Sequence, residues 1–212
     1  MIERFKKGAE MVKKHFDFRE SLITSNKSIT FTFREKEEKE ISLLKGVIFE
    51  GDTTKVVEHA KNDFFDFLKV GFGIESAGDN PINIHITITQ EGLEDVCDYK
   101  GRIVDIQEGK IDIYAYDERG AAQAIYDLED MMSSKKQPYL DKGRSKNKPL
   151  FSPRMVHSAY GVNIYPEGYI QKLAKEGVDA IILSITGVNE GIRGPLDTNV
   201  IIGHIFLLDY NY

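Results

Sequence analysis

The chain has 212 residues, enough for one or two domains that each bury a usable core. Apolar residues make up 41% and charged residues 29%, a balance that excludes an intrinsically disordered chain. A formal net charge of −6 lacks the basic field expected of a nucleic-acid binder, and no apolar run approaches the roughly 20 residues a membrane helix needs.

The first segment reads as a helix, because Phe5, Ala9, Val12 and Phe16 recur at helical spacing among Lys and Glu. A strand follows, with Ile29, Phe31 and Phe33 on one face and Ser28, Thr30 and Thr32 on the other. The charged run 34–40 reads as a solvated turn, and the next strand is expected over 41–49, stopping at Gly51-Asp52. Thr53 or Asp52 then caps a second helix by accepting a free backbone N–H of its first turn. Val56, Ala60, Phe64, Phe67 and Leu68 give that helix an apolar stripe, and Gly71 and Gly73 end it.

After Gly78-Asp79-Asn80-Pro81 comes the clearest strand: Ile82, Ile84, Ile86 and Ile88 alternate with Asn83, His85, Thr87 and Thr89. Such alternation predicts a sheet covered on one side, with His85 on its solvated face. Two further strands, one with Ile103, Val104 and Ile106 and one with Ile111, Ile113 and Ala115, flank a tight turn at Glu108-Gly109. Asp117 caps a third helix, Glu118 places negative charge at its positive end, and Ala121, Ile125, Leu128 and Met132 form its buried stripe. The small or slender run Arg119-Gly120-Ala121-Ala122 predicts a close approach of this helix to the preceding strand. This order of elements predicts an α+β fold, a mainly antiparallel sheet with helices packed on one face.

Residues 133–152 read as a linker, polar and basic, with Pro138 and Pro149. Tyr139 is its only aromatic before Phe151, too few for a stacking nucleic-acid platform. Beyond it, residues 154–158 read as a short buried strand, and Pro166 opens a helix whose apolar face is Ile170, Leu173 and Ala174 and which Gly177 closes. Residues 178–185 are continuously apolar, the pattern of a parallel strand covered on both faces. Strand, helix and apolar strand make a βαβ unit, which cannot be stable alone. The apolar run 200–208 has no helical period; a third strand, cover for an exposed edge, and a self-association surface are all open to it.

Two segments carry a resemblance. The stretch 109–128, a strand running into Asp117-Glu118-Arg119-Gly120 and a helix with a small-then-aliphatic stripe, resembles the end of the α/β domain that precedes the barrel in glycoside hydrolase family 20. Phe151-Ser152-Pro153-Arg154-Met155-Val156 falls where that family's barrel begins, and Tyr165-Pro166-Glu167-Gly168-Tyr169-Ile170 with the run 172–180 resembles its first helix and second strand. The resemblance implies an accessory α/β domain over residues 1–132, a linker over 133–152, and the start of a (β/α)₈ catalytic barrel over 153–212. It implies a β-N-acetylhexosaminidase-like parent that cleaves terminal amino sugars, with carbohydrate as its partner. The family's catalytic Asp-Glu pair lies late in the barrel, so this chain is expected to be a truncated product without catalytic residues. It also implies that Arg154 binds sugar hydroxyls, for which a planar guanidinium suits two adjacent oxygens; the other reading of Arg154 is a salt bridge at the end of the linker. Met155 and His157-Ser158 depart from the Gly and Asp that often follow in the family.

No cofactor or metal site is expected. Glu58-His59 has no second histidine one turn on, Gly71-Phe72-Gly73 follows a helix and not a strand, and no Gly-x-Ser-x-Gly elbow occurs. Cys97 is the only cysteine and has acidic neighbours, so neither an internal disulfide nor an activated thiolate is expected. The charged N-terminus is unlike a signal peptide, which points to a cytoplasmic chain. Two other readings remain: a binding or assembly module that docks on carbohydrate or another chain through 200–208, and an enzyme with a site around Arg154, His157 and Asp179.

Overall fold

The computed structural model describes residues 31–75, 77–158, 168–185 and 202–207. The expected N-terminal helix, the start of the first strand and Pro166 lie outside these residues. Residues 31–33, expected to continue that strand, are not strand.

The stretch expected as one strand over 41–49 is two, β1 (Glu40–Ser42) and β2 (Val47–Gly51), because the chain turns at Gly46, whose φ is 77°. Helix α1 (Lys55–Phe72) follows; the capping side chain is Thr54, which accepts the Val57 N–H, one residue beyond the expected cap. Gly73 ends α1 in the left-handed region. Strand β3 (Ile82–Ile88) alternates as read, with His85 exposed. A short 3₁₀ turn (Glu94–Val96) leads to the hairpin β4 (Arg102–Gln107) and β5 (Lys110–Ala115), then to α2 (Glu118–Lys135).

The main sheet has five strands in the order β2, β3, β5, β4 and an edge strand β7 (Gly143–Asn147). Its junctions are evenly divided: β2 with β3 and β3 with β5 run parallel, while β4 pairs antiparallel with β5 and with β7. The mainly antiparallel sheet expected within the α+β class is therefore mixed. The reason is physical: alternation tells which face of a strand is buried, not which strand lies beside it, and the crossover through α1 forces β2 and β3 parallel.

Both long helices pack on one face, where Phe64 and Leu68 of α1 and Ile125, Leu128 and Met132 of α2 meet Ile84, Ile86, Ile111 and Ile113. Ile84 and Ile86 are fully buried, each worth about 1.5–3 kcal/mol relative to exposure. On the reverse face the 3₁₀ turn lays Leu93 and Val96 against Ile103, with Tyr114 at the margin.

Residues 133–152, expected as a linker, hold the last turn of α2, strand β6 (Tyr139–Asp141) and β7. Strand β6 pairs antiparallel with β1, and β7 completes the sheet. Arg144 and Lys146 on β7 reach Glu94, a charged fringe that discourages further pairing at this edge. The charged run 34–40 is also more than a solvated turn. Glu40 is buried, held by Arg34 through two hydrogen bonds of 2.6 and 2.8 Å and by Lys135 at 2.8 Å.

The expected βαβ unit is present as β8 (Met155–Ser158), α3 (Tyr169–Lys175) and β9 (Ala180–Ile185), with β8 and β9 parallel. Strand β10 (Ile202–Leu207) pairs antiparallel with β9 over its whole length. It is thus the third strand of this small sheet and covers the outer edge of β9.

Candidate functional site

The segment Asp117-Glu118-Arg119-Gly120 builds the front half of the site. Asp117 caps α2 by accepting the Gly120 N–H at 2.7 Å, and its second oxygen accepts the Lys100 N–H at 3.0 Å. Gly120 has no Cβ, which would stand 2.8 Å from the Gly101 carbonyl oxygen, so glycine lets α2 meet the turn before β4. The close approach expected toward the preceding strand is made instead to this turn, where Gly120 meets the backbone of Lys100 and Gly101. Lys100 itself sits in the left-handed region, φ 57°, a conformation that is costly for a side chain bearing a Cβ and that the Asp117 contact helps to hold.

These constraints place Tyr99, Lys100 and Arg119 around one carboxylate from the βαβ unit. Asp179, 3% exposed, precedes β9. Its Oδ1 takes an ion pair from Lys100, a hydrogen bond from the Tyr99 hydroxyl at 2.9 Å, and an ion pair with Arg119 at 3.1 Å. Its Oδ2 accepts the backbone N–H of Arg154 at 2.6 Å. Arg119 also donates to the Tyr99 oxygen at 2.6 Å and to the Val178 carbonyl at 3.2 Å. Burial alone would push the Asp179 carboxyl up, but donation from Lys100, the Arg154 N–H and Tyr99 outweighs it and holds the group below its ordinary value. Burial pushes the Tyr99 hydroxyl up, so it remains a neutral donor.

A second contact flanks this knot. Lys175 of α3 pairs with buried Glu129 of α2 at 2.8 Å, leaving Glu129 Oε1 without a partner. Burial raises the Glu129 carboxyl, against the attraction of Lys175. Gln123 Nε2 donates to the Lys175 carbonyl at 2.9 Å, and Lys100 Nζ to the Gly177 carbonyl at 2.9 Å.

Arg154 stands at the entry to β8, and its Nη1 donates to the Glu176 carbonyl at 2.5 Å, closing the C-terminal end of α3. The contact is to a carbonyl and is not the expected salt bridge. Of the trio Arg154, His157 and Asp179, Asp179 is saturated by donors and has no free oxygen for acid–base work, and the His157 side chain lies outside the description. A groove of about 600 Å³ beside the joint is lined by Arg102, Asp127, Lys148, Phe151, Arg154 and Lys175. Two of its charges pair with each other, Arg102 with Asp127 through bonds of 2.6 and 2.9 Å. Sequence reasoning singled out Arg154 and Asp179 but missed Lys100 as the partner of Asp179, because a 79-residue separation leaves no local signal.

The architecture is α+β: a mixed sheet with two helices on one face, followed by a parallel β/α/β unit seated on the second helix. Among the described residues no helix is long and apolar enough to cross a membrane, and no three potential metal ligands converge. No family model and no curated protein matches the sequence. Solved structures do share the fold. A chitobiase from Flavobacterium johnsoniae matches with a TM-score of 0.52 at 16% identity, over 69% of this chain and 24% of the enzyme. A Vibrio harveyi GH20 exo-β-N-acetylglucosaminidase, solved with N-acetylglucosamine, matches with a TM-score of 0.51 at 15% identity, over 69% and 23%. A glycoside hydrolase family 20 β-N-acetylglucosaminidase matches with a TM-score of 0.52 at 14% identity, over 75% and 30%. At such identities the likeness is one of fold. The chain spans 23–30% of the length of these enzymes.

Proposed function

We propose that this chain is the non-catalytic front domain of a glycoside hydrolase together with the opening β/α unit of its barrel, in a parent that releases terminal amino sugars. The observation that carries the reading is the seating of a parallel β8–α3–β9 unit on an α/β domain by a buried carboxylate, Asp179. The fold shared with three GH20 enzymes supports it, as does the Asp117–Gly120 segment, whose side chains build the seat. The chemistry of the central carboxylate agrees with a supporting role: Asp179 accepts donors on both oxygens and is held ionised, so it neither donates nor accepts a proton near neutrality.

The test is hydrolysis of nitrophenyl N-acetyl-β-D-glucosaminide and a panel of other nitrophenyl sugars. The chain alone should release no nitrophenol above the uncatalysed rate, and a version extended by a full barrel should cleave the amino sugar. Turnover by the chain alone would contradict the non-catalytic role; an extended enzyme that cleaves only other sugars would contradict the amino-sugar assignment.

A further inference from the structure

We infer that the front domain holds β8, α3 and β9 through a polar latch centred on Asp179, and that this joint opens as one unit while the front domain stays folded. The apolar clusters on its two sides are separate. The large core belongs to α1, α2 and the sheet, whereas Leu173, Val178 and Ile181 form a cluster of their own with Val156, Tyr169 and Ile170.

Across the joint run hydrogen bonds and ion pairs. Asp179 takes Lys100, Tyr99 and Arg119, Gln123 reaches the Lys175 carbonyl, and Lys175 pairs with Glu129. Where α2 and α3 face each other, a cavity of about 20 Å³ remains among Ala122, Tyr126 and Ala174, room for about one water.

Polar contacts exchange for water at small net cost, so a segment held mainly by them opens locally before an apolar core does. Convergence on one carboxylate makes the opening cooperative. Removing the Asp179 charge leaves Lys100 and Arg119 facing each other beside a buried neutral group, which no single remaining contact offsets.

The inference requires only the seating of the unit, not a sugar substrate, so either reading can fail without the other. Native-state amide hydrogen exchange on the full chain tests it. In the unaltered protein, amides of α3 and β9 should open at lower free energy than those of β3 and β5. Asp179→Asn should lower protection in α3 and β9 by about 100-fold or more. Lys100→Met should reproduce the pattern. Equal protection of both regions in the unaltered protein, failure of both variants to fold, or no loss in α3 and β9 in either variant would overturn the latch.

Discussion

Asp117 accepts the backbone N–H of Lys100 at 3.0 Å with one carboxylate oxygen while the other caps α2 at Gly120. One side chain thus joins the start of a helix to the turn that presents the latch lysine. Asp117→Ala removes both bonds, losing a cap worth about 0.5–2 kcal/mol and stranding the Lys100 N–H at a further cost of about 1–3 kcal/mol. Urea unfolding should show a total loss of about 2–4 kcal/mol. Asp117→Asn keeps one acceptor oxygen for the cap but sets an amide NH2 against the Lys100 N–H, so it should still lose about 1–3 kcal/mol.

Glu129 gives the joint a pH dependence whose sign follows from its environment. Its carboxyl is raised by burial, opposed by Lys175 and assisted by Asp63 and Asp130. A carboxylate raised in the folded state costs stability as pH rises through its folded value, because the native state must then hold a charge it disfavours. Asp179 works the other way: its lowered value contributes stability that is present above the unfolded value and lost as pH falls through the folded one. Thermal melts of Glu129→Gln and the unaltered chain should therefore differ in slope. The variant should gain relative stability as pH rises above the ordinary carboxylate range. A constant difference across pH would mean that Glu129 does not titrate differently in the two states.

At the other end of α2, Glu40 is 1% exposed and is gripped by Arg34 and Lys135. Bonding to Arg34, against the opposing effect of burial, holds its carboxyl far below the usual range. Glu40→Gln leaves two cations facing a neutral amide, and a cost of about 2–4 kcal/mol in chemical unfolding is expected. Arg34→Met should give a smaller loss, since Lys135 still neutralises Glu40.

Much of the front domain was legible because its elements carry strong periodicity. The stripe of α2, the alternation of β3 and the turn at Gly109 all stand where the pattern puts them. Strand β7 was hidden in a basic stretch because an edge strand with two largely exposed faces has no alternation to read, and β6 because its three residues are too few for a period. Glu40 was hidden by its neighbours: a buried acid inside a run of surface charges looks like one more surface charge. The break between β1 and β2 went unseen because Gly46 interrupts an otherwise continuous apolar pattern. At the joint, Asp117 and Gly120 announced a cap and a close approach, yet only the folded chain shows that both serve the Lys100–Asp179 pair.

A double-mutant cycle between Lys100 and Asp179, read by urea unfolding of the full chain, tests the seating most directly. Lys100→Met and Asp179→Asn, alone and together, should give a coupling of about 1–3 kcal/mol, with the double variant less impaired than the sum of the singles. Losses that add to within about 0.5 kcal/mol would show that the two side chains do not depend on each other, and that the β/α unit rests on the front domain by other means.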